Sequence, residues 1–242
     1  MEYVKLSSGT LINGDSQETL KAIKANSVDL VITDPPYLIN YKTGHRKDKE
    51  HDFCSEIHND GLEDLPVIEN VIKELYRIMK DNTSIYLFTS AKTIDIFKPL
   101  IEKYFTFKNI IIWVKNNWTA GDLKAQYAQQ YEMIIYAVKG RPVINGKRIT
   151  DVWYCDRVSG NNQIHQNQKP VELLKQMILK SSNIGAIVLD SFSGSFSLAD
   201  AYIATDRKFI CGEINKEYYN NAINKYKNMD NKNNLIFLNN AC

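Results

Sequence analysis

The chain has 242 residues, a length that fits one large domain, because domains typically hold about 100 to 200 residues. Its 44% hydrophobic and 24% charged residues argue against disordered, fibrous and repeat proteins. The sequence has no apolar run near the roughly 18 residues of a membrane helix and no signal-peptide pattern at its N-terminus, so we expect a cytoplasmic protein with no membrane contact. The net charge of +2 identifies no partner, since a local basic patch can lie within a neutral total.

In chain order, the apolar residues alternate between the period of strands and the period of helices. Strands are predicted at residues 3–6, 28–33, 84–89, 107–115, 131–138, 186–189 and 209–211. Helices are predicted at residues 18–24, 65–80, 93–104, 171–181, from 198 onward, and at 216–227. This alternation predicts a single α/β domain over residues 1–242, with a mostly parallel sheet covered by helices on both faces.

Two polar stretches are predicted as loops. Residues 38–61 carry a basic cluster between Lys42 and Lys49. Residues 141–167 carry four cations and two neighbouring aromatic residues: Arg141, Lys147, Arg148, Arg157, Trp153 and Tyr154. Such a set suits nucleic acid, because cations meet phosphates while aromatic faces stack on bases. A solvated loop explains the same residues equally well.

The strand over residues 28–33 stops at Asp34-Pro35-Pro36-Tyr37. Proline cannot donate to a sheet ladder, so the chain must leave the strand in a stiff, extended turn. A carboxylate and a rigid carbonyl at one strand tip can accept two hydrogen bonds from an amino group while the Tyr37 ring stacks on the base that bears it. That arrangement would aim the delocalised lone pair of a base nitrogen at an electrophile. The alternative is a plain turn with an exposed Asp34 and a packed Tyr37.

A second strand end carries a glycine-containing turn, Asp190 to Phe196, followed by Glu213 at the end of the next strand. Such a turn lets a ligand approach the backbone, and the acidic residue can hold two ribose hydroxyls, which is the logic of a nucleoside cofactor site. A helix cap at Asp190 and an exposed charge at Glu213 would explain the same residues.

Together the two motifs resemble the DNA amino-methyltransferases that use S-adenosylmethionine, and their order resembles the permuted β group of that family. The resemblance covers nearly the whole chain. Supporting segments are Gly14-Asp15 and residues 111–116, 131–134, 168–174, 212–214 and 217–219. It implies a Rossmann-like class I methyltransferase fold with an antiparallel hairpin, double-stranded DNA as partner and methyl transfer to the N6 amino group of a flipped adenine. Asp rather than Ser before the two prolines favours adenine; cytosine N4 is the nearest rival.

The resemblance also implies a role for each site residue. Asp34 and the carbonyl of Pro35 would accept from the target amino group, with Pro36 stiffening the turn and Tyr37 stacking on the base. The cofactor residues would be Asp15, near the adenine, Lys169 or Ser195 at the methionine carboxylate, Glu213 at the ribose, and Asp190, Phe192 and Gly194 around the pocket. No metal is implied: His45, His51, Cys54 and His58 match no familiar zinc spacing. The four cysteines form no Cys-x-x-Cys pair, which indicates reduced thiols.

Two positions depart from the family pattern. Phe196 stands where the family has glycine, and Ser191 where it has proline. Phe196 must either force another turn conformation or fill space near the cofactor, since glycine is favoured where φ is positive. The alternative function is therefore a nucleic-acid-binding regulatory protein with impaired cofactor binding. The segment left for target recognition, about residues 141–166, is short, so we expect a second subunit to help grip the duplex as a homodimer.

Overall fold

The computed structural model of the chain describes residues 1–39, 60–118, 122–158 and 168–239. Within these residues nine strands form one sheet in the order β1-β2-β9-β8-β3-β4-β6-β5-β7. The strands are β1 (Glu2–Lys5), β2 (Gly9–Asn13), β3 (Val28–Thr33), β4 (Met79–Thr89), β5 (Thr106–Val114), β6 (Tyr131–Lys139), β7 (Val152–Tyr154), β8 (Ile187–Asp190) and β9 (Lys208–Glu213).

Five neighbouring strands, β2, β9, β8, β3 and β4, run parallel, and β6 runs antiparallel to both β4 and β5. The β5–β6 pair is the predicted antiparallel hairpin. Because β5 and β7 point the same way as β4, the carboxyl ends of all these parallel strands meet at one edge of the sheet. We call this edge the carboxyl edge and the opposite one the amino edge. Ligands bind outside the carboxyl edge in open α/β sheets, so it is where a site is expected.

Helices cover both faces, as predicted. The helices are α1 (Ser16–Lys21), α2 (Leu65–Ile78), α3 (Ile94–Glu102), α4 (Val171–Ser181), α5 (Ser197–Ile203) and α6 (Lys216–Asn239). The first three bury apolar residues such as Leu20, Leu75 and Phe97 in one core layer. The last three bury Met177, Tyr202 and others in the second layer, on the other face. β3 lies between these layers with both faces buried, which explains its uninterrupted apolar run.

Most predicted elements are confirmed to within a few residues, and two strands were missed. β2 contains only five residues, and β7 only three, too few for a period to show. β2 pairs in parallel with β9 and so places the turn that follows it next to Glu213. Helix α6 is longer than predicted and extends to Asn239. Among the described residues, no helix is long and apolar enough to span a membrane.

The prediction of an irregular segment over residues 141–167 is confirmed for most of its described part, residues 141–158, which is interrupted only by the three residues of β7. Arg141 donates its backbone N–H to the Asn82 side chain near the start of β4, at 2.9 Å. Lys180, at the end of α4, donates to the Asn145 and Lys147 carbonyls. These contacts hold the first part of the segment at the amino edge. β7 then pairs with β5 and carries the chain to the carboxyl edge.

Candidate active site at the carboxyl edge

The chain leaves β3 at Asp34, and the following turn holds the Tyr37 side chain against it. The Tyr37 hydroxyl donates to Asp34 Oδ1 at 2.7 Å. Pro35 is buried, and Leu38 takes a positive φ of 60° while its N–H donates to Asp60 Oδ1 at 2.8 Å. Burial, and the charges of Asp34 and Glu132, raise the pKa of Tyr37 well above its usual value. The Tyr37 hydroxyl therefore remains a donor, and it orients one oxygen of the carboxylate.

Lys169 contacts the other oxygen of that carboxylate. Its Nζ lies 2.8 Å from Asp34 Oδ2 and 3.0 Å from Glu132 Oε2. Glu132 is the second residue of β6, and its other oxygen pairs with Lys115, which follows β5. Burial alone would raise the pKa of Glu132, but the charges of Lys169 and Lys115 outweigh burial and lower it to about 2. Burial would lower the pKa of Lys169, yet Asp34 and Glu132 together raise it above the usual value.

The predicted cofactor turn begins where β8 ends, beside β3. Thr33 Oγ1 donates to Asp190 Oδ1 at 3.0 Å, and the backbone N–H of Phe192 donates to the same oxygen at 3.0 Å. Gly194, with φ of 48°, donates its N–H to Glu213 Oε2 at 2.7 Å, and Asn215 donates to Glu213 Oε1 at 2.8 Å. The turn therefore has its backbone fastened to the acidic residue at the end of β9, while the Thr33 hydrogen bond joins it to the strand that carries Asp34.

Asp190 has one oxygen that no described group satisfies. Oδ2 is buried, and within the described residues it has no hydrogen-bond partner. Burial raises the pKa of Asp190 to about 7; the N–H of Phe192 and the hydroxyl of Thr33 act in the opposite direction, and the charges of Asp34 and Glu213 add to the increase. Burial also raises the pKa of Glu213. An unpaired buried carboxylate oxygen is costly, so it marks a place where a donor or cation belongs.

Phe196 has the left-handed backbone conformation that glycine favours, so it does not force the turn into another conformation. Its φ and ψ are 58° and 26°, in the left-handed region, and its ring is fully buried in the core layer of α4, α5 and α6. Its carbonyl accepts from the Tyr226 hydroxyl at 2.9 Å. Ser191, the other departure, is buried with its Oγ 3.4 Å from Thr33 Oγ1. The turn is thus compatible with both substitutions.

The structure brings most of the predicted site residues together in two adjoining groups. Asp34, Tyr37 and Lys169 form one, and Asp190, Phe192, Gly194 and Glu213 form the other. Asp15 follows β2 and caps α1 by accepting from the Gln17 N–H at 2.9 Å. Ser195 is half-buried in the turn. The basic cluster between Lys42 and Lys49 lies outside the described residues. So do the four residues that were compared with zinc-site spacings: His45, His51, Cys54 and His58.

From the sequence, Lys169 or Ser195 was assigned to the methionine carboxylate of the cofactor, and Glu132 was assigned no role. In the structure Lys169 pairs with the Asp34 carboxylate and with Glu132. The sequence does contain a signal for the role of Glu132. It is a charged residue in the strand 131–138, which is otherwise mostly apolar, and such a residue is buried only when it is paired.

Exposed aromatic and basic side chains surround the site on the hairpin side of the carboxyl edge. Tyr127 is 99% exposed, Tyr154 80% and Trp118 65%. Arg157 is also exposed, and its backbone N–H donates to the Asn116 side chain at 3.3 Å, next to β5. Trp153, one of the residues whose type suits nucleic acid, is instead 8% exposed and packs against Tyr86 with a ring-centre distance of 6.4 Å. It is buried because alternate residues of β7 face the core.

Comparison with known proteins agrees with this geometry. DNA adenine methyltransferase YhdJ of Escherichia coli (strain K12) is 33% identical over 243 residues, which cover 86% of this chain and 79% of that protein. A crystal structure of an M1.HpyAVI–SAM complex matches with a TM-score of 0.68 and 25% identity, covering 88% of this chain and 97% of that one. The cytosine-N4-specific PvuII DNA methyltransferase shares the fold, with a TM-score of 0.72 at 16% identity over 90% of this chain and 88% of its own.

The model of the N6/N4 DNA methylase family matches residues 28–225, a range that includes β3 and its Asp-Pro-Pro-Tyr turn, the β8 turn and Glu213. The chain has the fold of the class I methyltransferases, and it belongs to the DNA methylase family.

Proposed function

We propose that the protein is a site-specific DNA methyltransferase that transfers a methyl group from S-adenosylmethionine to the N6 amino group of an adenine flipped out of the duplex. The observation that carries this proposal is the hydrogen bond from Thr33 to Asp190. This hydrogen bond joins the end of β3, where Asp34 and the Pro35 carbonyl would accept from the base, to the end of β8, where the cofactor turn begins. The methyl group and the target nitrogen would therefore meet at the carboxyl edge.

The residues of the first strand end would prepare the nitrogen. Asp34 and the Pro35 carbonyl would accept its two N–H groups, which orients the lone pair away from the base plane, and Pro36 fixes the turn that holds both acceptors. Tyr37 would stack on the base. The base must leave the duplex first, because in the helix its amino group is engaged in pairing. After transfer the nitrogen must lose a proton, and Asp34 is the carboxylate in position to receive it.

The residues of the second strand end fit S-adenosylmethionine on two observations. The buried, unpartnered Oδ2 of Asp190 suits a cationic ligand, and the Gly194 turn with Glu213 leaves carboxylate lone pairs for ribose hydroxyls. Phe192, Ser195 and Asp15 would complete the pocket around the turn. When bound, the cofactor supplies a methyl group on a sulfonium, which is the electrophile that the target nitrogen attacks.

This proposal has two alternatives. Cytosine N4 presents the same amino group, and a cytosine-N4-specific enzyme shares this fold; adenine is favoured by Asp34 before the prolines and by the adenine methyltransferase relative. The second alternative is a regulatory DNA-binding protein that has lost the cofactor. It is disfavoured because the turn with Phe196 retains a left-handed backbone.

DNA would lie across the carboxyl edge, where Arg157, Tyr154, Trp118 and Tyr127 are exposed.

We further propose that the protein is a homodimer, since few described residues at this edge are available to recognise DNA. We also propose a cytoplasmic location, because that is where the DNA of a bacterial relative lies. A solution mass near 27.8 kDa for the protein alone, together with one chain per duplex in the DNA complex, would contradict the dimer.

Calorimetry with S-adenosylmethionine separates the enzyme from the regulatory protein. The parent should bind the cofactor, alone or with DNA present. Asp34→Ala should bind it with a similar Kd yet transfer no methyl group, because the substitution removes an acceptor at the nitrogen and leaves the Asp190 turn intact. Absence of binding under both conditions would exclude the methyltransferase, and full activity of Asp34→Ala would remove its proposed role.

A further inference from the structure

A line of alternating charges runs from the hairpin to Asp34: Lys115, Glu132, Lys169 and then Asp34. The Lys169 side chain is 7% exposed, and its Nζ lies 4.7 Å from the centre of the Phe88 ring. We propose that Lys169 is a positioning residue for methyl transfer: held in place by Glu132, its ammonium fixes the orientation of the ionised Asp34 carboxylate that receives the target amino group. This inference rests on the proposed function.

The geometry at Asp34 explains how Lys169 would act. Tyr37 donates to Oδ1 and Lys169 to Oδ2, so the carboxylate is held from both sides. Each ionised carboxylate oxygen has two acceptor sites, so one site on each oxygen remains for the base. Without Lys169 the carboxylate would keep, from the described part of the chain, a single hydrogen bond, from Tyr37, and could rotate. Small errors in orientation are costly in catalysis; a displacement of about 1 Å can reduce the rate by roughly 100-fold.

The burial of Lys169 explains the need for Glu132. A buried ammonium is disfavoured unless it is paired. The charged and titratable groups that face Asp34 come from four elements: Tyr37 from its own turn, Lys169 before α4, Glu132 from β6 and Asp190 from β8. Among the described residues, Lys169 is the cation paired with Asp34. It is therefore the group whose charge holds Oδ2 of that carboxylate in place.

The decisive variant is Lys169→Gln, which keeps a hydrogen-bond donor but removes the charge. Glu132 retains Lys115 as its partner, so the substitution leaves no isolated charge there. We expect kcat to fall at least 10-fold with the Kd for S-adenosylmethionine unchanged within about 2-fold. Lys169→Arg, which restores the charge, should recover part of kcat.

Lys139→Gln is the matched control. Lys139 is the last residue of β6, the strand that also carries Glu132. It is buried, and its Nζ donates to the Met79 and Tyr76 carbonyls at 2.7 and 3.0 Å. Its loss should lower the melting temperature with little change in kcat. Glu132→Gln is a second variant, expected to lower kcat several-fold while leaving cofactor binding intact, and it tests the inference if Lys169→Gln does not fold.

The outcomes are distinguishable. A parent that methylates no DNA contradicts the proposed function and this inference with it. With an active parent, unchanged kcat in Lys169→Gln or in Glu132→Gln overturns the inference alone. A weaker Kd for S-adenosylmethionine with unchanged kcat in Lys169→Gln would instead place Lys169 at the methionine carboxylate, and it too would overturn the inference.

Discussion

The Asp190 carboxyl connects the two halves of the site, because one oxygen is held by Thr33 of β3 while the other has no described partner. Burial raises its pKa to about 7, so near neutral pH the neutral and ionised forms have comparable populations. A cationic ligand binds the ionised form better. Cofactor affinity should therefore depend on pH within the range where this group titrates.

The expected sign follows from linkage. Below pH 7 the cofactor must displace a proton from Asp190, so affinity should fall as the pH decreases from 7.5 to 5.5, on the order of 10-fold. Asp190→Asn should bind more weakly at pH 7.5 and show a flat dependence, since the amide does not titrate. Calorimetry at several pH values measures both slopes. A variant with the same slope as the parent would assign the effect to another group, Glu213 being the nearest candidate because its pKa is also raised.

Phe196 combines a left-handed backbone with a fully buried ring, and the two have opposite effects on stability. A left-handed backbone at a non-glycine residue costs about 1 to 3 kcal/mol, which is why the sequence suggested a damaged turn. Loss of a buried phenylalanine ring costs about 3 to 5 kcal/mol, and the Phe196 ring is fully buried. Burial of the ring therefore offsets the strain, and only the packing of α5 and α6 around it could show this.

At the scale of elements, the long uniform patterns were predictable. β3 and α4 were predicted with their observed ends, β3 because it is buried on both faces and stops at prolines, and α4 because its apolar residues keep a helical period. β7 was not predictable, because a strand of three residues has too few side chains to show alternation. The same limit applied to β2.

The site was predictable only in part for a related reason. Asp34 and Asp190 each follow a buried strand, so their place at the carboxyl edge follows from the topology. The Lys169–Glu132 pair depends on the register between β5 and β6 and on the approach of the chain before α4. The register of β6 places Glu132 opposite Trp113, at the end nearest Asp34, and no local pattern encodes that.

At the scale of the whole molecule, the sheet separates basic residues that are close in sequence. Arg157 is exposed at the carboxyl edge, whereas Arg141 is exposed at the amino edge, where its backbone binds Asn82. The net charge of +2 therefore does not show which edge of the sheet binds DNA, and the two arginines must be tested separately.

Arg157→Ala should weaken DNA binding and reduce the slope of log K against log salt concentration by about 1, as expected for one lost phosphate contact. Arg141→Ala is the matched control and should leave both quantities unchanged, because its side chain lies at the opposite edge. Titrations of a labelled duplex over several salt concentrations give the two slopes. Equal losses in both variants, or a loss in Arg141→Ala alone, would contradict a DNA site at the carboxyl edge.

Methylation of adenine in DNA by the carboxyl edge can be tested on the reaction product. The full chain is incubated with S-adenosylmethionine and duplex DNA, the DNA is digested to nucleosides, and the methylated ones are identified by mass spectrometry. We expect N6-methyladenine with the parent and no methylated nucleoside with Asp34→Ala. N4-methylcytosine as the product would contradict the assigned base, and unmodified DNA from a parent that binds the cofactor would contradict the proposed activity.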